Sequence, residues 1–156
     1  MDWLHTLRWL HIVGATVLLG TGAGIAFFMV MAHRTRDAAL IAHVASTVVI
    51  ADMLFTAVAV VLQPITGAAL AYLVGWPLSS GWIQLSLGLY VLTGLCWLPV
   101  VMIQMRIRNL ARAAAVDETS LGSAYDRLFR QWFLLGLPAF VSVLAIIWLM
   151  VARPAL

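Results

Sequence analysis

Two side chains stand out for their chemistry and for where they sit. His11 lies about one turn inside the apolar stretch LRWLHIVGATVLLGTGAG (residues 7–24), and Asp52 lies near the middle of a second apolar run. Polar residues at membrane depth are rare and mark function by default. A neutral imidazole directed into a helix bundle can ligate the iron of a b-type haem, and the second axial ligand would then be a histidine or a methionine. His5 is on the same helix, so Met150, at the same level near the end of the chain, is the better-placed partner; such His/Met ligation raises the haem potential. The plainer account of a lone histidine is hydrogen-bonded packing.

Asp52 belongs to a pattern. At 100° per residue it shares a stripe with Thr56 and Gln63, while His43 points the other way. An ionised aspartate at that depth costs about 2.5–3.5 kcal/mol even on gentle insertion scales, so it must be protonated or hydrogen-bonded. A second stripe, Ser86, Tyr90, Thr93, Trp97 and Gln104, suits a lined cavity and equally suits interhelical hydrogen bonds. Asp52 and Tyr90 are the candidate catalytic or proton-handling groups. His33 and His43, with Met29 and Met31, suggest a soft-metal site for copper or a second haem level; interfacial histidines near headgroups are the simpler account.

The elements that must hold these residues are membrane helices. The chain is 64% hydrophobic and 10% charged, with a mean hydropathy of +1.04, far from the globular norm of roughly 45–50% apolar and 25% charged. A helix needs roughly 20 apolar residues to span the hydrocarbon, and the sequence offers four runs: 7–32, 41–75, 82–105 and 133–151. The expectation is an all-α polytopic membrane protein, one four-helix transmembrane domain over 1–156 with an amphipathic connection at 106–131. The first run is too long for the apolar part of a secretory signal and is preceded by Asp2 as well as followed into by Arg8, so it reads as a retained helix.

Charge gives the orientation. The connections at 34–37 and 106–131 hold Arg34, Arg36, Arg106, Arg108, Arg112, Arg127 and Arg130, whereas the other side has only Arg8 and Arg153. The positive-inside rule therefore places both termini in the periplasm of a bacterial inner membrane. Trp3, Trp9, Trp76, Trp82 and Trp148 read as the outer aromatic belt, Tyr125 and Trp132 as the inner one. Arginines at helix ends explain the net charge of +3 without a nucleic-acid partner. The single cysteine, Cys96, offers neither a disulfide nor a CxxC pair.

Local signals complete the reading. Helix one carries Gly14, Gly20, Gly22 and Gly24; Gly20 and Gly24 form a GxxxG pair that lets a neighbouring backbone or a flat cofactor approach, and makes self-association plausible. In QPITG (residues 63–67) Pro64 frees a backbone carbonyl that Gln63 or Thr66 could satisfy. Ser123 and Asp126 have capping-box spacing for a restarting helix. Gly136, Phe140, Val143, Ile147 and Met150 share one side of the last helix. No P-loop, dinucleotide fingerprint, HExxH or Ser/His/Asp pattern occurs.

Together the blocks LRWLHIVGATVLLGTGAG, DMLFTAVAVVLQPITGAAL, LYVLTGLCWLPVVMIQMRIR, YDRLFRQWFLLGLPAF and WLMVARP closely resemble a bacterial family of small predicted integral membrane proteins of unknown function, over nearly the whole chain. A more distant resemblance is to HemJ-type protoporphyrinogen oxidases and CopD-like copper-resistance proteins. His11 and the Arg153–Pro154 pair match the HemJ-type haem histidine and basic-proline ending, but LLGTGAG replaces the family's tryptophan and FAG-type segment. That resemblance implies a haem-ligand role for His11, and by extension Met150, without the enzyme's substrate chemistry.

Three functions are consistent with these residues. The leading one is a haem b protein passing electrons to a quinone or porphyrin-like substrate, with the cofactor against Gly14, Gly20 and Gly24 and between helices one and four. The second is a cofactor-free transporter of a small solute or metal ion through a path lined by Asp52, Gln63, Tyr90 and Gln104. The third is an accessory subunit whose polar stripes only hold helices together.

Overall fold

A computed structural model describes residues 2–156. Four helices, all long and apolar enough to cross a membrane, make up nearly all of it: α1 (Trp3–Thr35), α2 (Ala38–Val74), α3 (Gly81–Val116) and α4 (Ser123–Ala152). In lipid every backbone donor and acceptor must be satisfied within the chain, which a helix does by itself. Large apolar side chains such as Phe27, Leu54, Ile65, Leu95 and Val141 cover the outside, facing hydrocarbon.

The turns follow their residues. Between α1 and α2, Arg36 adopts a left-handed conformation (φ 58°). The Asp37 carboxylate then caps α2, accepting from the Ala39 and Leu40 amides at 2.8 and 3.1 Å. Gly75 (φ 80°) ends α2 in the left-handed conformation that glycine allows. Residues 117–122 separate α3 from α4; the residue before α4 is Gly122, which has no side chain to cap with, so Ser123 is already helical and no capping box forms, and Asp126 pairs with Arg36.

α1 packs along α2 and α3 along α4, whereas α2 meets α3 through its first half, residues 38–51, and leaves it towards the termini. The fourth seam, between α4 and α1, is closed only at the arginine-rich end. There Ile25, Met29 and Ala32 of α1 meet Tyr125, Phe129 and Trp132 of α4 in the main core, with Ala45, Ile107 and Ala111 allowing close approach from α2 and α3. His33 stacks on Phe129, ring centroids 3.7 Å apart and 7° from parallel. At the terminal end a small cluster of Trp82, Ile83 and Leu149, joined by Trp76 and Met150, involves α3 and α4 but not α1. No residue of α1 before Ile25 is buried. The first helix therefore leans on α2 and parts from α4 towards the termini.

This packing corrects the inner aromatic belt. Tyr125 is 1% and Trp132 4% exposed, both core residues rather than headgroup anchors; of the outer belt, Trp3, Trp9 and Trp148 are exposed, whereas Trp82 is buried against Ile83 and Leu149. Gly20 and Gly24 also differ from expectation: a side chain at either would meet nothing within 4 Å. Close approach occurs at Gly14, under the Gln63 amide, and at Gly67, where a Cβ would lie 3.2 Å from His11 Cε1.

Candidate functional site

Where the helices part towards the termini they leave a cavity of about 390 Å³ lined by all four of them. Both polar stripes line it: Asp52, Thr56 and Gln63 from α2, and Tyr90, Thr93, Trp97 and Gln104 from α3. Its walls on the α1 and α4 sides are apolar, as at Leu18, Leu19, Val143 and Ile147. Ser86 is the one member of the α3 stripe outside it; buried at the terminal end, it returns its hydroxyl to the Trp82 carbonyl at 2.7 Å.

The polar floor is built around Asp52, which is 3% exposed. Trp97 Nε1 donates to its Oδ1 at 3.3 Å. With the Gln104 amide turned so that nitrogen faces the carboxyl, Nε2 donates to Oδ2 at 2.8 Å and Oε1 accepts from Trp132 Nε1 at 3.2 Å. Three helices thus hold one carboxyl. The backbone is unusual at the same point: Asp52–Thr56 forms one turn of π-helix, in which the Ala57 amide bonds to the Asp52 carbonyl. Such turns occur mostly as single insertions and are frequent at functional sites.

The π-turn leaves Thr56 in a singular position. Thr66, Ser86 and Thr93, on the same two helices, give their hydroxyls to the carbonyl four residues back. Thr56 Oγ1 makes no such bond: it is buried in a side chain 7% exposed that lines the cavity, without a well-aligned partner among the described residues but within reach of the Asp52 carboxyl.

Tyr90 has a different task. Its hydroxyl donates to the Val60 carbonyl, the one left without its helical donor by Pro64 four residues on. The repair comes from α3, not from Gln63 or Thr66. Gln63 reaches across to α1, donating from Nε2 to the His11 carbonyl at 2.8 Å. Thr66 gives its proton to the Leu62 carbonyl at 2.8 Å and holds His11 Nδ1 at 2.8 Å. A hydroxyl has one proton, so with that proton on the Leu62 carbonyl the Nδ1–H tautomer of His11 donates to Thr66, and His11, Gln63 and Thr66 together fasten α1 to α2.

The expected haem pair is not brought together. His11 faces Thr66 and Gly67 on α2, whereas Met150 packs beside Trp82, Ile83 and Leu149. The cavity lining contains no histidine, methionine or cysteine. The residues present do not fit a haem between α1 and α4. The copper grouping does not assemble either: His33 is taken by Phe129 and Tyr125, His43 and Met31 are exposed, and Met29 is core. No group of three or more His, Cys, Asp or Glu side chains placed to hold a metal occurs among the described residues.

Sequence comparison agrees with this architecture. Residues 5–154 match the family described as predicted integral membrane protein (DUF2269). The chain belongs to this family. No curated protein and no solved structure matches it. Membership covers all four helices and the whole Asp52 site, and it brings no activity of its own.

Proposed function

We propose that this DUF2269 protein binds a small molecule with a largely apolar body and one polar group inside a bacterial inner membrane, and gives it passage, with Asp52 as the recognising group. The cavity carries this reading: apolar walls and a single polar floor held by α2, α3 and α4. Ligand pockets of roughly 300–1,000 Å³ with mostly apolar linings and a few convergent polar groups are the usual form of a small-molecule site. The Thr56 hydroxyl beside the carboxyl adds a second polar group to that floor. The arginine-rich end faces the cytoplasm under the positive-inside rule, so the closed end of the cavity is the inner one.

Native mass spectrometry of the full chain released from membranes tests it. Gly22 and Gly136 both line the cavity, and a side chain added at either meets nothing within 4 Å. Gly22→Leu with Gly136→Leu should therefore fill the space without strain and improve helix propensity. The wild type is expected to carry a small molecule that the filled variant lacks. Equal masses for the two proteins, with no bound molecule in either, would overturn the proposal.

A further inference from the structure

The lining has a charge imbalance. Asp52 is its one acidic residue, and the lining holds no arginine, lysine or histidine to answer it. Trp97 and Gln104 each donate one bond to the carboxyl, while two carboxylate oxygens offer about four acceptor positions. A buried carboxylate without a counter-charge is costly, so the empty site favours a proton on Asp52 and the occupied site favours a ligand that replaces it. An anion has nothing to pair with here. A divalent metal ion would need several oxygen ligands, where one carboxylate is present. Trp97, Trp132, Phe133 and Phe140 add aromatic faces to the lining, which attract a cation and are indifferent to its absence of N–H donors.

We infer that the cavity takes a lipophilic monovalent cation, and that Asp52 releases one proton as the cation binds. This rests on the binding site proposed above. The exchange is electroneutral: the protonated carboxyl and the cation become a carboxylate–cation pair and a free proton, so the site is neutral before and after, one positive charge entering with the cation and one leaving with the proton. The groups facing Asp52 are Thr56 from α2, Trp97 and Gln104 from α3, and, through Gln104, Trp132 from α4. None of them titrates in the working range. α1 contributes only apolar side chains and glycine to the cavity, and the Tyr90 hydroxyl is committed to the Val60 carbonyl. Proton exchange is thereby assigned to one residue.

Equilibrium binding of tetraphenylphosphonium to the detergent-solubilised full chain, between about pH 5 and 9, tests the inference beside neutral triphenylphosphine oxide. While Asp52 is protonated in the empty protein, affinity for the cation should rise up to about tenfold per pH unit, with one proton released per cation in weakly buffered solution. Asp52→Asn should weaken cation binding at least about tenfold and flatten its pH dependence, and Asp52→Glu should restore both in part. Should Asp52→Asn fail to fold, proton release by the wild type decides. Binding of the neutral analogue as tightly as the cation, with no proton released, overturns the cation assignment and leaves the cavity a binding site. Binding of neither probe, together with equal masses in the filled-cavity comparison, overturns both proposals.

Discussion

The arginine-rich half of the bundle and the terminal half are built from similar residues to opposite ends. In the first, alanines at 32, 42, 45 and 111 are buried and draw four helices onto Met29, Ile107 and Tyr125. In the second, Gly22 and Gly136 meet no neighbour within 4 Å and line the space above the polar floor, while Gly14 and Gly67 seat the Gln63 amide and the His11 ring where α1 is fastened to α2. A small residue is thus a contact on the α1–α2 seam and a vacancy where it faces the cavity. What differs between the halves is closure: α1 meets α4 and α2 meets α3 at the arginine-rich end, and both pairs part towards the termini.

Removing a side chain from each half should break or sharpen that contrast most strongly. Met29 is 1% exposed at the centre of the closed half, so Met29→Ala is expected to cost about 2–5 kcal/mol. Leu18, on the cavity wall of the open half, borders existing space, and Leu18→Ala should cost well under half of that. Denaturant-induced unfolding of the two variants in detergent micelles reads the difference. Equal losses would mean that the open half is as tightly packed as the closed one.

An intermediate effect is expected where the open half repairs its own backbone. Tyr90→Phe strips the Val60 carbonyl of its partner and should cost about 0.6–2 kcal/mol, the range for interhelical hydrogen bonds in membranes. Pro64→Ala returns the helical donor to the same carbonyl. In that background the Tyr90→Phe penalty should shrink towards zero, which a double-mutant cycle measures directly. A penalty unchanged by Pro64→Ala would place the role of Tyr90 in the cavity and not in the backbone.

These residues also show how much of the molecule can be read from its sequence. Four membrane helices follow from hydrophobic run length alone, and the stripes of Asp52, Thr56 and Gln63 and of Tyr90 to Gln104 follow from 100° periodicity; both kinds of signal are local. The cavity they line is not local, because it depends on α1 and α4 failing to close. Nothing in DMLFT announces the π-turn, nor that Thr56, unlike Thr66 and Thr93, gives no bond to the carbonyl four residues back. His11 misleads for a related reason. Its depth in the first helix is plain, but the direction of its ring is set by Thr66 and by the absence of a Cβ at Gly67, more than fifty residues away. Gly67 in QPITG was the available sign that something approaches that helix closely.

The smallest effect concerns what holds the closed half shut at its rim. Arg36 reaches Asp126 with both guanidinium nitrogens, at 2.5 and 3.1 Å, tying the turn after α1 to the start of α4. Asp126 precedes the apolar stretch that begins at Phe133 and lies outside the membrane span; the Arg36 hydrogen bond holds its carboxyl below the usual carboxylate range. A depressed value in the folded protein means that the stabilisation is present above the unfolded carboxyl's value, about 3.9, and is lost as pH falls through the lower folded one. Both partners are 40% exposed or more, so solvent screening limits the pair to about 0–1 kcal/mol, less at high salt. Asp126→Asn should remove this acid dependence and otherwise leave stability nearly unchanged at neutral pH, read by thermal unfolding at low and high salt. If Asp126→Asn instead cost as much as Met29→Ala, closure of the α1–α4 seam would be electrostatic at its rim. The small value expected here assigns it to the buried contacts of Met29, Ala32, Phe129 and Trp132.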